Sequence, residues 1–165
     1  FNSAPDNEAP GDAGADNVYD LVICVSDGTT FTSQGLTVTV GNVNEAPQIT
    51  SPGSISMAEN ANAVLTIAST DPEGTARTYS IVGGADAARF TINTSTGALS
   101  FIAAPNYEAP TDAGANNVYD VVVQASDGSL VDTQALAVTV TNVKSGHSFT
   151  GGGLHEELLE QSFGA

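Results

Sequence analysis

Positive charge is nearly missing from this chain. Of its 165 residues only Arg77, Arg89 and Lys144 are basic, against 19 Asp and Glu, so the formal net charge is −16. Such a surface repels phosphate backbones and anionic bilayers, which excludes nucleic acid and charge-driven membrane docking. Tryptophan is absent, and Cys24 is the single cysteine, so no internal disulfide can form. Histidine is confined to His147 and His155 near the C-terminus, leaving no core histidine for a Ser-His-Asp relay. No apolar run approaches the ~20 residues of a membrane-spanning helix, and direct membrane insertion is not expected. The chain opens on Phe1 without a signal-peptide pattern, which suggests a fragment or a processed piece. Apolar content is ordinary, so a hydrophobic core is available.

What the chain does contain is a repeat. Residues 1–43 align without gaps on residues 101–143, and more than half of the aligned positions are identical. Glu8-Ala9-Pro10 meets Glu108-Ala109-Pro110, Asn17-Val18-Tyr19-Asp20 meets Asn117-Val118-Tyr119-Asp120, and Ser26-Asp27-Gly28 meets Ser126-Asp127-Gly128. The organisation follows: residues 1–45 are the last part of one unit, 46–143 a complete unit, and 144–165 a tail outside the repeat.

The complete unit reads as all-β. Strands are expected at Gln48–Thr50 with Ile55–Met57, then at Ala63–Ser69, Thr78–Val82, Phe90–Ile92, Ala98–Phe101, Val118–Ser126 and Gln134–Thr141. Turn signals separate them at Asp71-Pro72-Glu73-Gly74, Gly83-Gly84 and Thr96-Gly97, and a short helical turn at Ala85–Arg89 is compatible with the pattern. Tyr119, Val121, Val123 and Ala125 share one face of their strand, as do Leu136, Val138 and Val140, and such faces need a second sheet. Seven short strands in about 100 residues predict an immunoglobulin-like Greek-key β-sandwich. The first unit, truncated to its last strands, would expose its apolar face. It is expected to be poorly ordered alone, or covered by another chain or by missing sequence.

Between the units lies Asn42-Val43-Asn44-Glu45-Ala46-Pro47, polar and closed by a proline that fixes φ. Alone it is a plain polar turn. Other oxygen-bearing side chains recur at strand ends: Asp6 and Glu8 in the first unit, Asp71, Glu73 and Asp127 in the second. Together with Met57-Ala58-Glu59-Asn60, Ile67–Gly74, Thr96-Gly97-Ala98-Leu99 and Tyr119–Gly128, this pattern resembles the cadherin repeat, in detail the bacterial type of large surface or secreted proteins. The resemblance covers residues 46–143 and, through the repeat, 1–45.

The resemblance implies Ca2+ between consecutive units, held by Asp6, Glu8, Asn42, Asn44, Glu45, Asp71, Glu73 and Asp127. The linker is one residue shorter than the family's, and Asn42 replaces its first Asp. A weaker second site is implied at Glu59, Asn106, Glu108 and Asn142, where Lys144-Ser145-Gly146 stands in place of Asn44-Glu45-Ala46. Charge alone points the same way. Two carboxylates ~5 Å apart repel by roughly 3 kcal/mol at an effective dielectric of about 20, and six gathered in one joint splay it unless cations intervene. Extracellular modules often bind Ca2+ in the ~0.1–1 mM range, which is the range expected here. The rival is a solvated acidic patch.

The remaining features carry little chemistry. Asp71-Pro72-Glu73-Gly74 is no EF-hand, because the twelfth loop position is Val82. Carboxylate pairs that repeat with the fold do not suit a glycosidase. Cys24 stands where the second unit has Gln124, on the outward side of its strand, and could crosslink chains. Asn93-Thr94-Ser95 is a glycosylation sequon relevant only in a eukaryotic secretory setting. In the tail, Leu154, Leu158, Leu159 and Phe163 could form one stripe of a short helix beyond Gly151-Gly152-Gly153.

The expectation is therefore a non-enzymatic, Ca2+-stiffened module of an extracellular or cell-surface adhesion protein, acting as a spacer or adhesive stalk. Its partners would be neighbouring repeats of the same polypeptide, and beyond them a homophilic protein contact or a cell-surface glycan. Adhesion by strand exchange needs an anchoring tryptophan and is not carried over. Two rivals stand beside this: a carbohydrate-binding accessory module of a secreted polysaccharide-degrading enzyme, and metal-independent filler.

Overall fold

Alternation dictates the centre of the structure. In the computed structural model, which describes residues 1–144, strand β10 (Val118–Ser126) turns Tyr119, Val121, Val123 and Ala125 inward, each 1% exposed or less. Its partner β11 (Val131–Thr141) turns in Leu136, Val138 and Val140. The two pair antiparallel from Val118↔Thr139 to Ser126↔Val131. β7 (Thr78–Gly83) extends this sheet antiparallel on β10, and β4 (Ser54–Ala58) closes the other edge by running parallel to β11.

The covering layer is a three-stranded sheet of β5 (Ala63–Thr66), β9 (Ala98–Phe101) and β8 (Phe90–Ile92), with a small β3 (Gln48–Ile49) and β6 (Ser69–Thr70) pair beside it. Ile67, Phe90, Leu99 and Phe101 from this side meet Tyr79 and the β10–β11 face in one core. Phe101 stacks edge-on against Tyr119, with ring centroids 5.0 Å apart. The all-β sandwich expected from the strand pattern is the fold.

Two element boundaries differ from expectation. The run Ala63–Ser69 is not one strand. It pairs with β9 up to Thr66, breaks at Ile67, and resumes as β6 against β3. The Ile67 N–H still reaches the Gly97 carbonyl in the register of Thr66↔Ala98, and the chain then crosses over: the Ala68 N–H donates to Ser51 Oγ and the Ala68 carbonyl accepts the Thr50 N–H. The last strand begins at Val131 rather than Gln134, since the tight turn before it leaves no unpaired lead-in. A single 3-10 turn at Ala87–Arg89 precedes β8.

Buried acids fix the corners. Asp86 is 4% exposed, and its two oxygens accept the N–H groups of Ala113 and Asp120, at 2.7 and 2.9 Å. Asp112 takes those of Asn116 and Asn117. At the neighbouring corner Gly84 has φ +104°, and a Cβ there would lie 2.4 Å from the Asp120 carbonyl oxygen. Gly84→Ala is therefore expected to destabilise the unit by on the order of 3 kcal/mol, read from urea unfolding curves.

The first unit contributes a hairpin, β1 (Val18–Ser26) with β2 (Phe31–Thr39). Its register, Val18↔Thr39 through Ser26↔Phe31, is that of β10–β11 displaced by 100 residues at all nine pairs. Nothing among the described residues covers its apolar face. Leu21, Ile23 and Val25 are 49, 52 and 70% exposed, where Val121, Val123 and Ala125 are buried. Cys24 is exposed on the opposite face. Both histidines and the apolar stripe of the tail lie outside the described residues.

Candidate metal centre at the junction

Three segments distant in sequence deliver carboxylates to one place. Glu8 comes from the loop before β1, Glu45 from the linker, and Glu73 from the turn after β6. One oxygen from each lies within 4.8 Å of the others. Local chemistry sets each position. The Asp6 carboxylate accepts the Glu8 N–H at 3.0 Å, folding that loop on itself. Asn7 and Asn17 then tie the loop to the end of the hairpin: Asn7 Nδ2 donates to the Val40 carbonyl, and Asn17 Nδ2 to that of Asn7 at 2.8 Å. On the other side, the Asp71 carbonyl accepts the Gly74 N–H at 3.0 Å, a turn that presents Glu73. The Glu45 N–H donates to Glu73 Oε1 at 3.2 Å, drawing the linker onto the second unit.

Asn44 crosses to the β10–β11 turn, where its Nδ2 donates to Asp127 Oδ2 at 2.7 Å. Asp127 also accepts the N–H groups of Ser129 and Leu130. Asp6 lines the same cleft as Glu8, Glu45 and Pro72. Asn42 is exposed, and no side-chain hydrogen bond ties it to the cluster. Hydrogen bonds, the shared cleft and the carboxylate cluster thus link seven of the eight implied ligands.

The electrostatics of the patch are those of crowded anions. The hydrogen bond with Glu73, then burial and the nearby charges of Glu73, Glu8 and Asp6, push the Glu45 carboxyl up to about 7. Burial raises Glu8, helped by Asp6 and Glu73, while the Glu45 hydrogen bond holds Glu73 below the usual range. Backbone donation from Leu130, then the Asn44 amide, lowers Asp127. Two carboxylate oxygens, Asp71 Oδ2 and Glu73 Oε2, are buried and accept no hydrogen bond. An acceptor in that state is costly unless something positive faces it. Several all-oxygen ligands of this spacing suit a hard divalent cation, whose ligands stand 2.3–2.6 Å from the ion for calcium.

The far set is built differently. Glu59, only 6% exposed, accepts the N–H of Tyr107 with one oxygen and that of Val143 with the other, both at 3.0 Å. Those two N–H groups, in that order, hold its carboxyl below the ordinary range. Glu108 accepts from Asn142 Nδ2, and Asn106 Oδ1 accepts the Glu108 N–H. Glu59, Asn106, Glu108 and Asn142 do converge, but with many of their oxygens already engaged.

Sequence reasoning missed Asn17 and Asn117, which hold the two acidic loops in place. The signal was available, since both recur with the repeat and both adopt a left-handed backbone, at φ 64° and 63°. It also missed Asp132, whose Oδ2 accepts the Ile49 N–H at 2.7 Å and pins β3 to β11. Its counterpart in the first unit is Thr32, so the repeat gave no hint.

No protein family model matches the chain. Over 64 residues, 38% of the chain, it is 41% identical to Chitinase A of Pseudoalteromonas piscicida, and the match spans 8% of that protein. Among solved structures it is similar to extracellular cadherin domains 1–4 of protocadherin gamma B7, with a TM-score of 0.60 at 22% identity, over 86% of this chain and 34% of that one. Domains EC1–4 of Drosophila N-cadherin give 0.59 at 18% identity, over 82 and 36%. Domains EC22–24 of mouse cadherin-23 give 0.56 at 23%, over 86 and 45%. The chain spans less than half the length of each of these structures. The likeness is one of fold: the chain has the cadherin-type β-sandwich.

Proposed function

We propose that the chain is a non-catalytic, Ca2+-binding spacer module of an extracellular protein, in which ions at the Glu8–Glu45–Glu73 junction fix one unit relative to the next. The observation that carries this is the convergence of three carboxylates from three separate segments, beside two buried carboxylate oxygens without a donor. Asp6 and Glu8 would hold the ion from the first unit, Asn44 and Glu45 from the linker, and Asp71, Glu73 and Asp127 from the second. When bound, calcium supplies the positive charge that the chain lacks. The neighbouring units of the same polypeptide are then its first partners, and a homophilic contact or a surface glycan the outer ones. Small-angle scattering tests the mechanical claim: chelation should broaden the distance distribution of the full chain, and Glu73→Gln should do so even in calcium. An unchanged profile in both cases would remove the function.

Proton linkage gives a second test. Without metal, Glu45 keeps its proton to about 7. Its carboxyl is raised in the folded joint, so the metal-free joint is firmest at low pH and loosens as pH rises through about 7. Calcium must displace that proton. Titration calorimetry should show affinity falling by about tenfold per unit as pH drops below about 7, with one proton released, and Glu45→Gln should abolish the release.

A second reading rests on the match to part of Chitinase A: an accessory module that holds a secreted enzyme on its polysaccharide. Depletion of the chain from solution by insoluble chitin, unaffected by EDTA, would favour it over the calcium spacer.

A further inference from the structure

Beside Tyr119 the complete unit has a groove of about 240 Å3, lined by Phe101, Ile102 and Pro105 together with Arg89, Asn106 and Thr111. Ordinary small-molecule pockets are larger, roughly 300–1,000 Å3, so this one suits one or two side chains of a peptide. Its apolar wall is uncovered, with Ile102 64% exposed. Arg89 is exposed as well, and among the described residues no carboxylate pairs with its guanidinium. That is notable in a chain with three cations and 19 acids. At the position of Asn106 the first unit has Asp6, so in the complete unit an acid is missing where a cation lines the groove.

We infer that this groove receives the segment Leu154–Phe163 of the same chain. The described residues end beside it. The N–H groups of Val143 and Tyr107 donate to the two oxygens of Glu59, and the Asn60 N–H donates to the Pro105 carbonyl. Val143 therefore leaves the unit alongside the loop that carries Pro105 and Asn106. Leu154 lies ten positions beyond Lys144, and ten residues reach up to ~33 Å when extended, ample for a groove at the same end of the unit. The segment has the matching chemistry: Leu154, Leu158, Leu159 and Phe163 as apolar anchors, with Glu156, Glu157 and Glu160 among them to meet Arg89. Over most of the remaining surface an acidic segment faces its own sign. Tethering supplies an effective concentration of order mM, so a shallow groove of weak intrinsic affinity is sufficient. The inference goes beyond the spacer function and makes no use of the metal.

The chain has no tryptophan, so Phe163→Trp in the full chain reports on the segment alone. Its fluorescence should be shielded from acrylamide, measured in EDTA so that the result does not depend on the calcium reading. Arg89→Glu and Ile102→Asp change exposed positions and should keep the fold. Each should raise the quenching constant by about threefold. Lys144→Glu makes the same change of charge outside the groove and should leave the constant within about 1.5-fold. Converting Glu156, Glu157 and Glu160 to lysine should also expose the tryptophan, and adding Arg89→Glu to that variant should restore the shielding. A tryptophan already as quenchable as free N-acetyltryptophanamide overturns the inference, as does one that neither Arg89→Glu nor Ile102→Asp exposes. Shielding that disappears on dilution overturns it too, because the groove of a second copy would then be the host.

Discussion

Removing calcium is expected to lower the melting temperature of the complete unit by on the order of 10 °C. Five of the proposed ligands, Asn44, Glu45, Asp71, Glu73 and Asp127, sit on that unit or on the strap hydrogen-bonded to it. An ion that binds only the native state at 100 times its dissociation constant adds about 2.7 kcal/mol. In a domain of about 100 residues each kcal/mol moves the midpoint by roughly 4–8 °C. Scanning calorimetry in 10 mM CaCl2 and in EDTA measures the difference. Asp71→Ala should erase most of it by removing Oδ2, which has no other partner, and should lower the EDTA midpoint only by the loss of the Thr75 N–H bond to Oδ1, worth about 1 kcal/mol. If calcium and EDTA give the same midpoint for the unaltered chain, the metal reading fails.

The other large effect compares two substitutions that the repeat makes equivalent on paper. Val123→Asp places a carboxylate where the side chain is fully enclosed among apolar residues of the core. Burying an unpaired charge costs well over 5 kcal/mol, comparable to the whole stability of a small domain, so the complete unit should not fold. Ile23→Asp changes the same position in the hairpin copy, where the site is half open. It should leave the melting of the complete unit within about 0.5 kcal/mol, as surface changes generally do. Far-ultraviolet circular dichroism of the two variants decides the matter. Equal destabilisation would mean that the hairpin face is covered in solution.

These contrasts explain what the residues announced and what they concealed. The β10 and β11 faces were legible because alternation is a local property, and Tyr119, Val121 and Val123 carry it without interruption. The acids of the junction were legible because position in the repeat marks them, even where the partner lies 83 residues away, as Asn44 does from Asp127. The break after Ile67 was not, because the run is apolar through it and the partner that draws the chain away is Ser51, whose Oγ takes the Ala68 N–H. Nor was the parallel seating of β4 on β11, since nothing in Ser54–Ala58 encodes strand direction. Asp86 and Asp112 carry no mark of burial in the sequence. Only the folded chain shows that each is walled in and satisfied by backbone N–H groups.

The parallel pairing of β4 with β11 has a mechanical consequence. The complete unit is entered at the two-residue strand β3, followed by β4, and left just after β11, so once the short β3–β6 pair yields, tension along a string of such units pulls β4 and β11 past each other lengthwise. In that direction every rung between Ala137↔Ser54 and Thr141↔Ala58 is loaded together, whereas two strands peeled from one end would yield rung by rung. Each sandwich is thereby clasped against stretching by β4 and β11, whatever the state of the joints between units.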